Sequence, residues 1–386
     1  MTDLVDRLIA VVRDVAGPGD LPLHAPEFRG NEETYVRDCV TSGWVSSVGA
    51  YVDRFERMLE DVTGIPHAVV VSNGTSALHM AYLLADVRPG DEVLCPALTF
   101  VATANAVSHA GATPHFVDAD PVTLAVDPAS LEAHLTEVAE LRDGVCVNRA
   151  TDAVIRALAV THVFGFPADM TGLLAVARRW NLTVVEDAAE ALGSFRDGVH
   201  VGGEGLVGTL SFNGNKIVTT GGGGAILTCD PERAARAKHL TTTARRGSGW
   251  VYDHDEVGWN YRLPNLNAAL GVAQLERLGD MLARKRTLAD RYAEALAAVE
   301  GVRPLSSPTG TRPNNWLNGL ILDRPDRAVR DDLLAALNAA GIQARPIWTL
   351  MHRLPMYAGC PRAPLPVAER LEASVINLPS SAALAD

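Results

Sequence analysis

Between residues 67 and 228 the chain alternates short apolar runs with longer amphipathic stretches. The runs HAVVV (67–71), EVLCP (92–96), TPHFVDAD (113–120), ALAVTHVFGF (157–166), LTVVEDAA (182–189), GTLSFN (208–213) and GGAILT (223–228) predict strands. The stretches 75–85, 100–110, 128–140 and 168–180 space their apolar residues as helices do. Apolar strands separated by helices of ten or more residues need crossover connections. They therefore predict an α/β domain, with a mainly parallel central sheet and helices on both faces. Residues 141–156, LRDGVCVNRATDAVIR, break this rhythm and read as a surface loop.

Past residue 240 the texture changes. Residues 265–299 read as one long helix or two abutting ones, 316–322 as a strand, and 326–341 as a helix ended by Gly341. The chain thus divides into a large α/β domain over 1–245 and a smaller α+β domain over 246–386. At the N-terminus Leu4, Leu8, Val11 and Val15 follow a helical period. Acidic Asp3 and Asp6 stand where a secretion signal needs basic residues.

Composition narrows the function. The formal net charge of −12 argues against nucleic acid as a partner. No apolar run approaches a membrane span. The five cysteines show no CxxC, and the histidines show neither HxH nor HExxH, so no disulfide framework or metal site is expected. A reducing cytoplasm fits. Lysine is scarce: Lys216, Lys238 and Lys285 stand against 31 arginines. Lys238 and Lys285 lie in charge-rich helical stretches and read as solvated. Lys216 lies in TLSFNGNKIVTTGGGGAIL, almost free of charge.

Lys216 is a candidate Schiff-base lysine, because apolar surroundings favour the neutral, nucleophilic amine. A plain strand-end lysine is the alternative. Asp187 ends the apolar strand 182–186, at the edge where α/β proteins bind ligands. It suits a carboxylate facing a protonated ring nitrogen, or a helix cap. Gly74, Thr75 and Ser76 open a helix after a strand, which suits phosphate or ordinary capping. The tract Gly221–Gly224 implies close backbone approach or positive φ. His162 lies at a strand end, as a catalytic or a structural histidine.

Together the segments SGWVSSVGAYVDRFE (42–56), SNGTSALHMAYLL (72–84), THVFGFPADM (161–170), VVEDAAEALGS (184–194), SFNGNKIVTTGGGGAI (211–226) and VGWNYRLPNLNAALGVAQLE (257–276) resemble one family. It is the DegT/DnrJ/EryC/StrS group of fold-type I sugar aminotransferases, which use pyridoxal 5'-phosphate. The resemblance spans most of residues 27–381. It implies that Lys216 carries the cofactor and Asp187 holds its ring nitrogen protonated. Gly74, Thr75, Ser76 and Ser211 would hold the phosphate, and Phe100 would stack on the ring. Asn260 would reach the phosphate of the partner subunit, in a homodimer with shared active sites. Where many members have Gln, this chain has Glu190. A charged Glu190 beside the cofactor's phenolic oxygen would repel it, unless it shares a proton or points elsewhere.

The implied reaction moves an amino group from an amino acid, glutamate by family expectation, to a keto-sugar nucleotide. SFNGNKIVTTGGGG with Glu190 looks most like the legionaminic-type branch, so the expected acceptor is a UDP-linked 2-acetamido-4-keto-6-deoxy hexose. The alternatives are a GDP-linked 4-keto-6-deoxy hexose, a keto-cyclitol, or a non-catalytic protein that senses the cofactor. Arg345, Trp348, His352, Asn314 and Asn315 are candidates for the sugar pocket. Arg245, Arg246 and Arg345 are expected at its mouth, where a diphosphate needs positive charge.

Overall fold

The computed structural model describes residues 2–247 and 250–386. Seven strands form the main sheet: β1 (His67–Val71), β2 (Glu92–Pro96), β3 (Thr113–Val117), β4 (Ile155–Thr161), β5 (Thr183–Asp187), β6 (Val207–Ser211) and β7 (Gly224–Thr228). Their order is β1-β7-β6-β5-β4-β2-β3. All neighbours run parallel except β7, which is antiparallel to both β1 and β6. β2 and β7 are buried along their whole length, as strands covered on both faces must be.

The expected crossover helices are present. After the N-terminal helices α1 (Thr2–Ala16), α2 (Glu32–Ser42) and α3 (Ala50–Thr63), they are α4 (Gly74–Leu84), α5 (Val101–His109), α6 (Pro128–Val138) and α7 (Met170–Trp180). Their starts follow from local chemistry: Asn73, Asp127 and Asp169 accept backbone N–H groups of the first turns of α4, α6 and α7. Residues 141–156 are not a plain loop. Ala139–Arg142 and Val145–Asn148 pair as an antiparallel hairpin around the turn Asp143-Gly144, both at positive φ. The DG turn carried that signal, which the charge of the segment masked.

A second sheet joins Val302–Pro304, Asn318–Leu322, Val375–Leu378 and Arg345–Pro346, all antiparallel. The 265–299 stretch is two helices, Asn265–Leu275 and Leu278–Ala297. At the junction Arg277 bonds Glu27, and Glu276 accepts from Arg54, Asn31 and Tyr35. The N-terminal helix Thr2–Ala16 packs across the division of the chain read from sequence. Its Leu8, Val12 and Val15 share a core with Leu288, Tyr292, Leu320 and Ile376.

Lys285 is not solvated. Only 1% of it is exposed, and its amine donates to the carbonyls of Trp316 and Ser380. Its helix is amphipathic, but the Lys285 position faces the C-terminal segment. Lys238 is half-exposed and pairs with Glu56 at 2.6 Å, as a surface lysine does. Among the described residues no helix is long and apolar enough to cross a membrane.

Candidate active site

At the carboxyl edge of the main sheet lies a cavity of about 310 Å³. Gly74 and Thr75 after β1, Phe100 after β2, Thr161 at the end of β4, Asp187 at the end of β5 and Ser211 at the end of β6 all line it. Glu190, Lys216, Trp316 and Trp348 complete the wall. Ligands of parallel α/β sheets gather at this edge because the strand ends and helix N-termini converge there. Seven of the nine residues singled out from sequence thus share one space.

Asp187 is buried at 5% exposure. The Thr103 hydroxyl donates to its Oδ2 at 2.7 Å and the Ala189 N–H to its Oδ1 at 3.2 Å. Burial pushes its carboxyl above the usual range, while those two donors, and Lys216 and His162 nearby, pull it back. A buried carboxylate with neutral donors lacks a full positive charge beside it. A protonated ring nitrogen supplies one, and this is the observation on which pyridoxal phosphate fits the cavity.

The phosphate end fits as well. α4 begins at Gly74, and the Asn73 side chain accepts the Ser76 N–H at 2.8 Å. A side chain at Gly74 would stand 2.9 Å from the Ser211 Cβ, and one at Gly224 only 2.6 Å from the Asn73 carbonyl carbon. Part of the glycine tract is therefore required by close backbone approach at this helix start, and Gly221 adds a turn at φ +76°. Ser76 does not line the cavity. Its hydroxyl lies 3.3 Å from that of Ser72.

The Lys216 amine reaches between two partners. It lies 3.3 Å from Glu190 Oε1 and 3.9 Å from the centroid of the Trp316 ring. The Trp316 indole N–H donates to the carbonyl of Asn215, one residue before the lysine, at 2.7 Å. Glu190 is buried, and its Oε2 accepts the Phe164 N–H at 2.9 Å. Phe164 sits in the left-handed region at φ 55°, which aims that N–H at the carboxylate. Burial pushes the Glu190 carboxyl up, against the pull of Lys216 and Phe164. Glu190 therefore points toward Lys216 rather than away from the cavity.

Other candidates sort differently. Trp348 lines the cavity, edge-on to Phe100 at 6.4 Å. Asn314 is a brace: its amide donates to the carbonyls of Glu190 and Leu192. His162 is fully buried and donates to Glu186, because its other ring nitrogen accepts the Ala168 N–H. It is thus held as a structural histidine. Arg345 bonds Asn338 and Ala344, Arg246 pairs with Asp253, and Arg245 covers the Tyr252 ring. None of these three arginines, nor Asn315 or His352, lines the cavity. Asn260 is exposed and accepts from Arg262 at 2.9 Å, also outside it. Trp316 and Thr103 were missed by sequence reading. Neither has a local signal, since each is brought to the site by a distant segment.

This fold and this cavity define a pyridoxal-phosphate-dependent aminotransferase of fold type I. The chain belongs to the DegT/DnrJ/EryC1/StrS aminotransferase family, whose model matches residues 26–386, and it is an aminotransferase of nucleotide sugars. It is 39% identical over 376 residues, 95% of each chain, to a GDP-perosamine synthase of Caulobacter vibrioides. It is 36% identical over 370 residues, again 95% of each, to a GDP-perosamine synthase of Vibrio cholerae. Among solved structures it resembles the aminotransferase TlmJ from Streptoalloteichus hindustanus, with TM-score 0.84, 30% identity and 94% of each chain covered.

Proposed function

We propose that this enzyme aminates a GDP-linked 4-keto-6-deoxy hexose, with glutamate as donor, rather than the UDP-linked acetamido sugar expected from sequence. The supporting observation is the pair of relatives named for a GDP-linked amino sugar, each covering 95% of the chain.

Pyridoxal phosphate, when bound, supplies an electron sink for the amino-bearing carbon. The chain does the rest. Lys216 carries the cofactor, then serves as base and acid. It takes a proton from the amino-bearing carbon of the donor and delivers one to the keto-bearing carbon of the acceptor. Asp187 keeps a proton on the ring nitrogen. The Gly74 and Thr75 backbone, with the Ser211 hydroxyl, holds the phosphate at the start of α4. Phe100 stacks on the ring. Glu190 lies within reach of the Lys216 amine, its Oε1 3.3 Å away.

The enzyme acts in the cytoplasm as a two-fold dimer that shares its sites. Two features support the dimer. Asn260 lies outside its own cavity, and the segment before it exposes Trp250 (93%), Tyr252 (76%) and Val257 (80%). A second copy would cover such a surface.

The test is a substrate panel. With cofactor and glutamate, the GDP-linked keto-hexose should gain an amine while 2-oxoglutarate forms in equal amount. An inert GDP sugar beside a reactive UDP-acetamido sugar or keto-cyclitol would overturn the acceptor. Visible absorbance that glutamate does not bleach would favour a non-catalytic sensor. Lys216→Ala should lose that absorbance and all turnover with its fold intact, and turnover at the wild-type rate would refute the lysine's role.

A further inference from the structure

Lys285 has no anion beside it. Its amine donates to two carbonyl oxygens, of Trp316 at 3.0 Å and of Ser380 at 2.5 Å, and no carboxylate joins them among the described residues. Burial lowers its pKa to about 7. The other titratable group in this corner is His24. Its imidazole is held well below its ordinary pKa by burial, Lys285 and Lys216, so it adds no second positive charge. Its ring lies 6.4 Å from that of Trp316. A buried amine without an ion pair is costly, and one that persists fixes its acceptors in place.

The acceptor that matters is Trp316. Its carbonyl is held by Lys285, its backbone N–H by Asn314 Oδ1 at 2.9 Å, and its indole N–H by the Asn215 carbonyl at 2.7 Å. With its backbone held on both sides, turning the ring away would break the indole bond to Asn215. Its face lies 3.9 Å from the Lys216 amine, where a cation is attracted by the ring's negative face. The backbone of the lysine loop and the tip of the lysine are thus held by one side chain.

We propose that Lys285 is a positioning residue, clamping Trp316 so that the indole face fixes the Lys216 amine in the cavity. The proposal rests on the reading of Lys216 as the cofactor-bearing lysine. The amine at 285 touches neither cofactor nor substrate. It acts through one backbone carbonyl.

The scarcity of lysine makes the contact directly measurable. Reductive methylation of the cofactor-free protein with ¹³C-formaldehyde reaches Lys216, whose side chain is 13% exposed, and Lys238, at 45%, but not the enclosed Lys285. Methyl groups over an indole face resonate upfield, so the Lys216 signal should lie upfield of that of Lys238. Trp316→Leu should abolish the difference. Lys285→Met should remove about half of it or more while circular dichroism is unchanged. In the loaded enzyme it should lower kcat roughly tenfold and leave KM for the sugar nucleotide within about twofold, as a misplaced reacting group does. A Lys216 signal unmoved in folded Lys285→Met would overturn the clamp. Should that variant not fold, Lys285→Leu, which likewise removes the donor while filling the space, gives the same reading. Failure of both to fold would assign the amine to the fold at large and also overturn the proposal. Lys216→Arg separates the two readings. It must delete the upfield signal, and survival of the cofactor's absorbance in that variant would refute the role of Lys216 without touching the ring contact.

Discussion

The Glu190 carboxylate stands 3.3 Å from the Lys216 amine, and the same side chain accepts the Phe164 N–H on its other oxygen. Burial pushes this carboxyl above its usual range, against the pull of Lys216 and the Phe164 N–H. Glu190→Gln keeps an oxygen for Phe164 and removes the charge. Turnover should persist within about tenfold, a loss of ~1.4 kcal/mol at most. The acid limb of the kcat/KM profile should flatten, because one ionisation is gone. A pH profile identical to wild type would count against coupling between the two groups.

Asp187 should matter more to rate than to stability. Asp187→Asn keeps the shape and the contact with Thr103 but removes the charge that holds a ring proton. Loss of turnover should reach about a hundredfold or more, some 3 kcal/mol of barrier. Thr103→Val deletes one donor to the carboxylate and should cost about tenfold, in line with one hydrogen bond to a charged group. Steady-state kinetics beside thermal melts decide the point. An Asp187 variant that is merely less stable would reduce it to a strand-end cap.

Gly224→Ala tests the reason for the glycine tract. Its new methyl would meet the backbone of Asn73 at 2.6 Å, and backbone there has little room to give. The start of α4 should be displaced, lowering stability by about 1–3 kcal/mol and weakening cofactor binding. Gly222→Ala meets nothing within 4 Å and should melt close to wild type. Equal behaviour of the two variants would contradict this account.

The proposed sharing of sites across a dimer predicts complementation. Lys216→Ala and Asn260→Ala chains, each inactive, should regain activity when mixed under conditions that exchange subunits. In a hybrid dimer one site then draws both intact residues from different chains. No recovery, with exchange proven by a tag, would place Asn260 outside the site.

Stability should fall as pH drops from about 7 toward 4. Burial lowers His79, His134 and His200 to about 4, while an unfolded imidazole titrates near 6.5. Between those values the unfolded chain binds more protons, so acid favours unfolding. At His200 the reason is visible: the Gly193 N–H donates to its Nε2 at 2.8 Å, and a proton there would break that bond. Asp187 and Glu190, both raised, act in the opposite sense as they gain protons, which damps the effect. Each histidine should withdraw on the order of 1–3 kcal/mol. Calorimetry from pH 7.5 to 5 should show a falling Tm, with a shallower slope in His200→Gln. A Tm that does not fall over this range would refute it.

The sequence by itself determined the elements of the main sheet and most of the catalytic edge. HAVVV and EVLCP are read to the residue, because a strand covered on both faces is apolar along most of its length, and the buried Glu92 is satisfied by His115, Asn148 and Thr151. Lys216 stood out because charge is absent around it, and Asp187 because it ends an apolar strand. Both are local signals. Tertiary structure alone decided what those residues meet. Thr103 reaches Asp187 across 84 positions, and Trp316 reaches the Lys216 loop across 101. Lys285 looked solvated for the same reason. Its helix is amphipathic and rich in arginine, and nothing in that stretch reveals the C-terminal segment that closes over it. Periodicity records which face of an element is buried. It does not record which distant backbone carbonyl will be waiting there.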